Sequence, residues 1–255
     1  MIETIADRYS VERAKWDAHA HTASGPIKPL PPEADFDWHC DRDHLMPGVR
    51  EFLGDLRGRR VVEYGCGLGS LTVLLARSGA KVSAFDLSES SVEVARERAR
   101  TMGLGDRVEF TVAPGEDLPY ADASFDIAFG KAVLHHLEPV AGARELSRIL
   151  RPGGRAAFSE PLGTNPLVAF ARDHLPYPNK HERGADIPLR REDIAAWTRP
   201  FAAAQLRGVQ LFSMVERGLG FGRRIEPLRY IDRELLERHP GLWPLCRYGV
   251  LTLTR

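Results

Sequence analysis

The spacing of apolar and polar positions changes character along this chain. Residues 11–21 and 47–56 carry helix-like spacing. Between them, residues 25–32 (GPIKPLPP) are rich in proline and suit neither a helix interior nor a central strand. From residue 60 a regular order sets in. Short β-prone runs at 60–64, 81–86, 108–112, 125–130 and 155–159 alternate with helical segments at 68–78, 88–102 and 140–150. Ser88 is placed to cap the second of these helices, whose outer face is charged. The Arg-Pro-Gly-Gly run at 151–154 marks a turn before the fifth strand. Strands alternating with helices in this way build βαβ units and a parallel sheet.

Beyond Glu160 the order lapses. Residues 161–192 hold five prolines and two glycines, with a helix-like piece at 167–174. Runs at 209–215 and 248–254 read as two closing strands, with an Arg- and Glu-rich helical stretch at 226–238 between them. The expected fold is therefore α/β: a Rossmann-like, seven-stranded, mostly parallel sheet with helices on both faces and an added helical cap or lid. Its expected divisions are a helical cap over 1–59, a cofactor-binding core over 60–160, a lid insertion over 161–200 and completing strands over 201–255.

Composition narrows the function classes. Hydrophobic residues make up 43% of the 255, enough for a core and against disorder throughout. Lys plus Arg equals Asp plus Glu at 35 each, so no overall charge draws the chain to nucleic acid or an anionic membrane. The three cysteines, Cys40, Cys66 and Cys246, are odd in number and widely spaced, which argues for a reducing compartment. No apolar run approaches the ~20 residues of a membrane helix, and the first ten residues lack a signal-peptide core. The expectation is a cytoplasmic protein with no nucleic-acid or membrane partner, and an oligomer is compatible.

The densest chemical signal is the glycine run after the first strand. Gly65, Gly67 and Gly69 alternate where the strand must turn sharply into a helix. Asp86 ends the next strand, about 20 residues on, where a carboxylate accepts from both hydroxyls of a ribose. A dinucleotide fingerprint is G-x-G-x-x-G, facing a pyrophosphate. Here the spacing is G-x-G-x-G, and Glu63 stands two residues ahead. A carboxylate at that mouth suits a cationic ligand better than a pyrophosphate.

E-x-G-x-G-x-G at 63–69 resembles the first motif of class I S-adenosylmethionine (SAM)-dependent methyltransferases. The likeness continues through Asp86, the Glu-Asp-Leu-Pro at 116–119, the Ser-Phe-Asp at 124–126, the Leu-His-His-Leu at 134–137 and the Arg-Pro-Gly-Gly at 151–154. It covers roughly residues 58–160 and points to the small-molecule group that includes ubiquinone- and menaquinone-type enzymes. The resemblance implies SAM as cofactor, S-adenosylhomocysteine as product and a small organic methyl acceptor. It also implies that Gly65, Cys66 and Gly67 flank the methionine part, with Glu63 helping at that end. Asp86 then takes the ribose, Leu87 packs on the adenine, and Gly115, Glu116 and Asp117 lie by the adenine edge. The carbonyl of Lys131 faces the ammonium. Pro114 stands where relatives often carry an Asp, so Glu116 or Asp117 substitutes as acceptor for the adenine amino group.

Methyl transfer needs an aligned nucleophile, exclusion of water and, where the nucleophile carries a proton, a base. His135 and His136 follow the fourth strand and are the candidate bases, His135 the first of them. Glu160, ending the fifth strand, is a candidate for orienting substrate or capping the next segment. Trp16, His174, Tyr177 and His181 are candidate lid residues. The His39-to-His44 run is dense in ligand types, yet its spacing matches no zinc pattern, and no metal is expected. Three other readings stay open: an NAD(P)-dependent oxidoreductase, a SAM-binding protein without catalysis, and a protein in which SAM supports another reaction, such as a rearrangement or decarboxylation.

Overall fold

In a computed structural model, described over residues 5–23, 27, 29–174, 187–218 and 224–255, the chain forms one seven-stranded sheet flanked by helices. The elements in chain order begin with α1 (Ile5–Ala23), α2 (Phe36–Arg42), α3 (Val49–Leu53), β1 (Arg60–Tyr64) and α4 (Ser70–Arg77). Next come β2 (Lys81–Asp86), α5 (Glu89–Thr101), β3 (Val108–Val112), β4 (Phe125–Lys131), α6 (Pro139–Ile149) and β5 (Leu150–Pro161). The chain ends with α7 (Pro166–His174), α8 (Arg191–Thr198), β6 (Ala203–Val209), α9 (Val215–Gly218), α10 (Glu226–Arg238) and β7 (Tyr248–Thr254).

The strand order is β3-β2-β1-β4-β5-β7-β6. β1 to β5 pair in parallel, and β7 runs antiparallel between β5 and β6. Parallel strands are covered on both faces, so they read as near-continuous apolar runs. β1 follows this rule, with Val61, Val62, Glu63 and Tyr64 all buried. One face of the sheet packs Val61, Val82 and Phe129 under α2 to α5. The other packs Tyr64, Phe85 and Phe158 under α6 and α8, with Trp197 fully buried among them. The order reverses between β1 and β4, and in open α/β sheets the ligand crevice lies at the carboxyl ends of the strands at that reversal.

Several elements depart from the sequence pattern for identifiable reasons. The expected turn at 151–154 is instead part of β5, which passes through a register shift against β4. The strand expected at 209–215 stops at Val209. Gln210 takes φ +61°, and the buried Asp232 carboxylate then accepts the backbone N–H groups of Leu211, Phe212 and Ser213. Those donors are thus bound to a side chain and cannot join a ladder. The helix expected at 47–56 shortens to α3, bounded by Gly48 at φ +76° and Gly54 at φ +74°. α2 and most of α8 fall in stretches to which the apolar pattern assigns no element. Asp35 caps α2 by accepting from Trp38 N, and the Asp193 side chain reaches back to Arg190 N at the start of α8. Among the described residues no helix is long and apolar enough to cross a membrane.

Candidate functional site

The carboxyl ends of β1, β2, β4 and β5, neighbouring parallel strands, lie along one edge of the sheet. β1 leads into the glycine turn, where Cys66 N donates to Phe85 O at 2.9 Å and Gly69 N to Cys66 O at 2.9 Å. Gly65 has φ +63°, and a Cβ there would lie 2.6 Å from Val133 Cγ2. Gly67 has φ +47° and open space where a Cβ would stand. The turn is thus packed tightly below and left open above. Only a residue without a side chain meets both demands at no strain.

Asp86 ends β2 and faces this turn. Its carboxylate accepts from Gly67 N at 2.8 Å and from Ser88 N at 3.0 Å. Burial raises the Asp86 carboxyl above its ordinary value, opposed by these backbone N–H groups and by nearby His136. Glu63 is fully enclosed under the turn. It takes a 2.5 Å hydrogen bond from Thr72 Oγ1 on α4, which ties the strand to the helix. Burial, with Asp86 close by, pushes the Glu63 carboxyl up to about 8. Leu87 is half-buried beside Asp86.

The loop after β3 forms the next wall. Gly115 is buried against Leu137, whose Cδ atoms lie 3.0 Å from where a Cβ would be. Glu116 Oε1 accepts from Glu138 N at 2.8 Å, which joins this wall to the start of α6. Asp117 is exposed, with its N–H on Pro114 O at 3.2 Å.

β4 ends at Lys131, and Ala132 follows at φ +54° with its N–H on Ser159 O. A single 3-10 turn then presents His135 and His136. Glu160, 1% exposed, serves this turn with both oxygens. Oε1 accepts from Val133 N at 2.9 Å and Leu134 N at 3.0 Å, and Oε2 lies 2.8 Å from His135 Nδ1. Glu160 therefore fixes the His135 ring and the backbone that carries it. The His136 ring lies against that of His135, centroids 4.1 Å apart, with its Nδ1 3.5 Å from Glu12 Oε2 of α1.

The remaining expected site residues lie at the rim or outside the described part. Trp16 packs edge-on against His136 at 5.6 Å. His174 is exposed on α7 and stacks on Phe170 at 4.3 Å, and Tyr177 and His181 lie outside the described residues. The Lys131 ammonium pairs with Asp43, which also lies 3.4 Å from His39 Nε2. Although burial opposes it, His39 and Lys131 hold the Asp43 carboxyl well below the usual carboxylate range. The charged run at 39–44 thus partly serves to pin the cap to the end of β4. Glu12 and Asp17 were not legible as site residues, because nothing in one sequence tells over which edge a polar helix lies. Among the described residues no three His, Cys, Asp or Glu side chains come together as a metal site.

Comparison with known proteins agrees with this geometry. Residues 62–158 match the methyltransferase domain family. Methyltransferase GfsG of Streptomyces halstedii is 36% identical over 182 residues, 64% of this chain and 66% of that protein. The core of this chain is a class I methyltransferase domain. Demethylmenaquinone methyltransferase of Clavibacter sepedonicus is 43% identical to it over 125 residues, 48% of this chain and 49% of that protein. The chain spans between about half and two thirds of the length of the curated relatives it matches. Among solved structures, the [4+2]-cyclase SpnF shares the fold at TM-score 0.60 and 20% identity, over 97% of this chain and 95% of that one. The match decides against the oxidoreductase reading. SAM is the cofactor of such a domain. The residues present fit it: open space above Gly67, a carboxylate at Asp86 for a diol, and buried acid rather than cations beneath the turn.

Proposed function

We propose that the chain transfers a methyl group from SAM to an oxygen, carbon or nitrogen nucleophile of a small organic metabolite. The observation that carries this is the placement along one edge of the sheet of the glycine turn with Asp86 and of the buried His135–Glu160 pair. SAM, when bound, supplies a methyl carbon made electrophilic by its sulfonium.

The chain's own residues divide the remaining tasks. Asp86 holds the ribose hydroxyls, and Gly65, Cys66 and Gly67 let the methionine part approach the backbone. Glu63 lies beneath that end, and the Lys131 carbonyl faces the ammonium. Leu87 and the wall at Gly115, Glu116 and Asp117 border the adenine. Where the acceptor carries a proton, His135 receives it while the methyl bond forms. Glu160 at Nδ1 fixes the ring and stabilises its protonated form. Trp16, edge-on to His136, covers the acceptor side and excludes water.

Equal numbers of basic and acidic residues and three unpaired thiols support a cytoplasmic enzyme acting on a small molecule, without a nucleic-acid or membrane partner. The name of the Clavibacter relative points to a quinone-type acceptor for that protein. For this chain we take from it only the small organic class. The test is incubation of purified protein with methyl-labelled SAM and a metabolite extract. Label should enter a small organic product and be lost with Asp86→Ala. Folded protein that binds SAM but labels nothing would leave a binding protein without catalysis.

A further inference from the structure

α1 is attached in an unusual way for a helix lying on a folded core. Among its described side chains only Ala20 is fully buried, and Val11 is 56% exposed. A helix polar on most sides is not held down by hydrophobic burial. α1 lies along α5 with Ala20 buried, and two carboxylates add polar ties to the loops after β2 and β4. Glu12 Oε2 lies 3.5 Å from His136 Nδ1 and accepts from Trp16 Nε1 at 3.1 Å. Asp17 Oδ1 accepts from Ser88 Oγ at 2.5 Å and from Ser90 N at 3.3 Å.

The two anchors stand on opposite sides of the glycine turn. His136 follows β4 and Ser88 follows β2, while β1 runs between those strands. Two inter-strand spacings amount to roughly 9.5 Å. Five residues of helix, from Glu12 to Asp17, rise about 7.5 Å. The segment from Glu12 to Asp17 is thus of a length to bridge the two anchors. Both anchors border Asp86: Ser88 N donates to its carboxylate at 3.0 Å, and His136 lies near enough for its charge to act on it. The carboxyl groups are also in the right state to hold. Ser88 and then Ser90 keep Asp17 below its ordinary value, and for Glu12 the effect of burial is more than offset by His136.

We propose that Glu12 and Asp17 are positioning residues of the cofactor cleft, acting through His136 and Ser88 to latch α1 as a strap, so that SAM enters and leaves only when both pairs part. This rests on the reading of the cleft as the SAM site. The strap has the properties such a role needs. Its contacts are polar, few and near solvent, so they break individually at low cost. Closing it brings Glu12 to His136 and the Trp16 ring over the cleft in one movement. Opening it leaves the sheet and its two apolar cores untouched.

The test is stopped-flow exchange of S-adenosylhomocysteine with the full chain, in wild type, Glu12→Gln, Asp17→Ala and the double variant, with Asp17→Asn as the conservative replacement. Asp17→Ala is expected to raise both the association and dissociation rate constants by about five- to ten-fold, and Glu12→Gln by about three-fold. The double variant should exceed either, and Asp17→Asn should restore most of the slow exchange. Loss of folded protein would lower the bound fraction without speeding association, so a merely structural role does not mimic this pattern. Wild-type protein that binds no S-adenosylhomocysteine overturns the cofactor reading and the strap together. Wild-type protein that binds it, with folded variants exchanging at unchanged rates, overturns the strap alone.

Discussion

At the scale of single residues, the site is built from carboxylates in contrasting surroundings. Glu63 is enclosed and lacks a cation in contact, so its carboxyl rises from 4.5 to about 8. A native state that keeps a proton the unfolded chain has released loses stability as pH rises between those values. Glu63→Gln keeps a partner for Thr72 and removes that loss. Melting curves from pH 5 to pH 9 should show the variant gaining on wild type toward the alkaline end. Parallel curves would mean that Glu63 does not titrate there. Glu160 is as deeply buried but is filled by two backbone N–H groups and His135. His135→Ala should lower turnover by about 10²- to 10⁴-fold while SAM affinity changes little, if its ring takes the acceptor proton. Unchanged pH–rate profiles would remove it from the mechanism. Asp86 and the glycines were legible in the sequence because their spacing repeats a backbone requirement. Glu12 and Asp17 were not, because their partners His136 and Ser88 lie over 70 residues away in the chain and meet them only through tertiary packing.

At the scale of elements, the strands were the most legible part. β1, β2, β3 and β7 carry the bounds that the β-prone runs suggest, and β1, covered on both faces, is buried from Val61 to Tyr64. β6 was misplaced because Asp232, more than 20 residues beyond the end of that strand, takes up the N–H groups that would have continued it. α8 was missed because its apolar content is concentrated in Ile194 and Trp197, too few positions to show a period. Yet those two residues fix it against α6. Gly142 marks the contact: a Cβ there would stand 2.5 Å from Trp197 Cη2. Gly142→Ala gains up to about 1 kcal/mol in helix propensity but overpacks this contact by about 1–3 kcal/mol. A net loss on the order of 1–2 kcal/mol is expected in urea unfolding. A stabilised variant would show that Trp197 yields freely and that α8 is loosely held.

At the scale of the whole molecule, the sheet sets the division of labour. Its order reverses between β1 and β4; in the proposed function the half toward β3 serves the adenosyl part, while the turn after β4 carries His135 and His136 and the end of β5 carries Glu160. The N-terminal elements are tied to the sheet's loops at two points, the residue after α2 by Asp43 to Lys131 and α1 by Asp17 to Ser88. The fold alone does not decide the chemistry, since a cyclase shares it at TM-score 0.60. The proposed function places that decision in SAM held between the glycine turn and Asp86. Calorimetric titration of the wild type and of Asp86→Ala, each with SAM and with NADH, tests that grip most directly. The account predicts that wild type binds SAM and not NADH. It also predicts that folded Asp86→Ala binds SAM more weakly by about 1.5–3 kcal/mol, the worth of a charge-assisted pair of hydrogen bonds. Equal SAM affinity in the two proteins, or NADH bound in place of SAM, would contradict it.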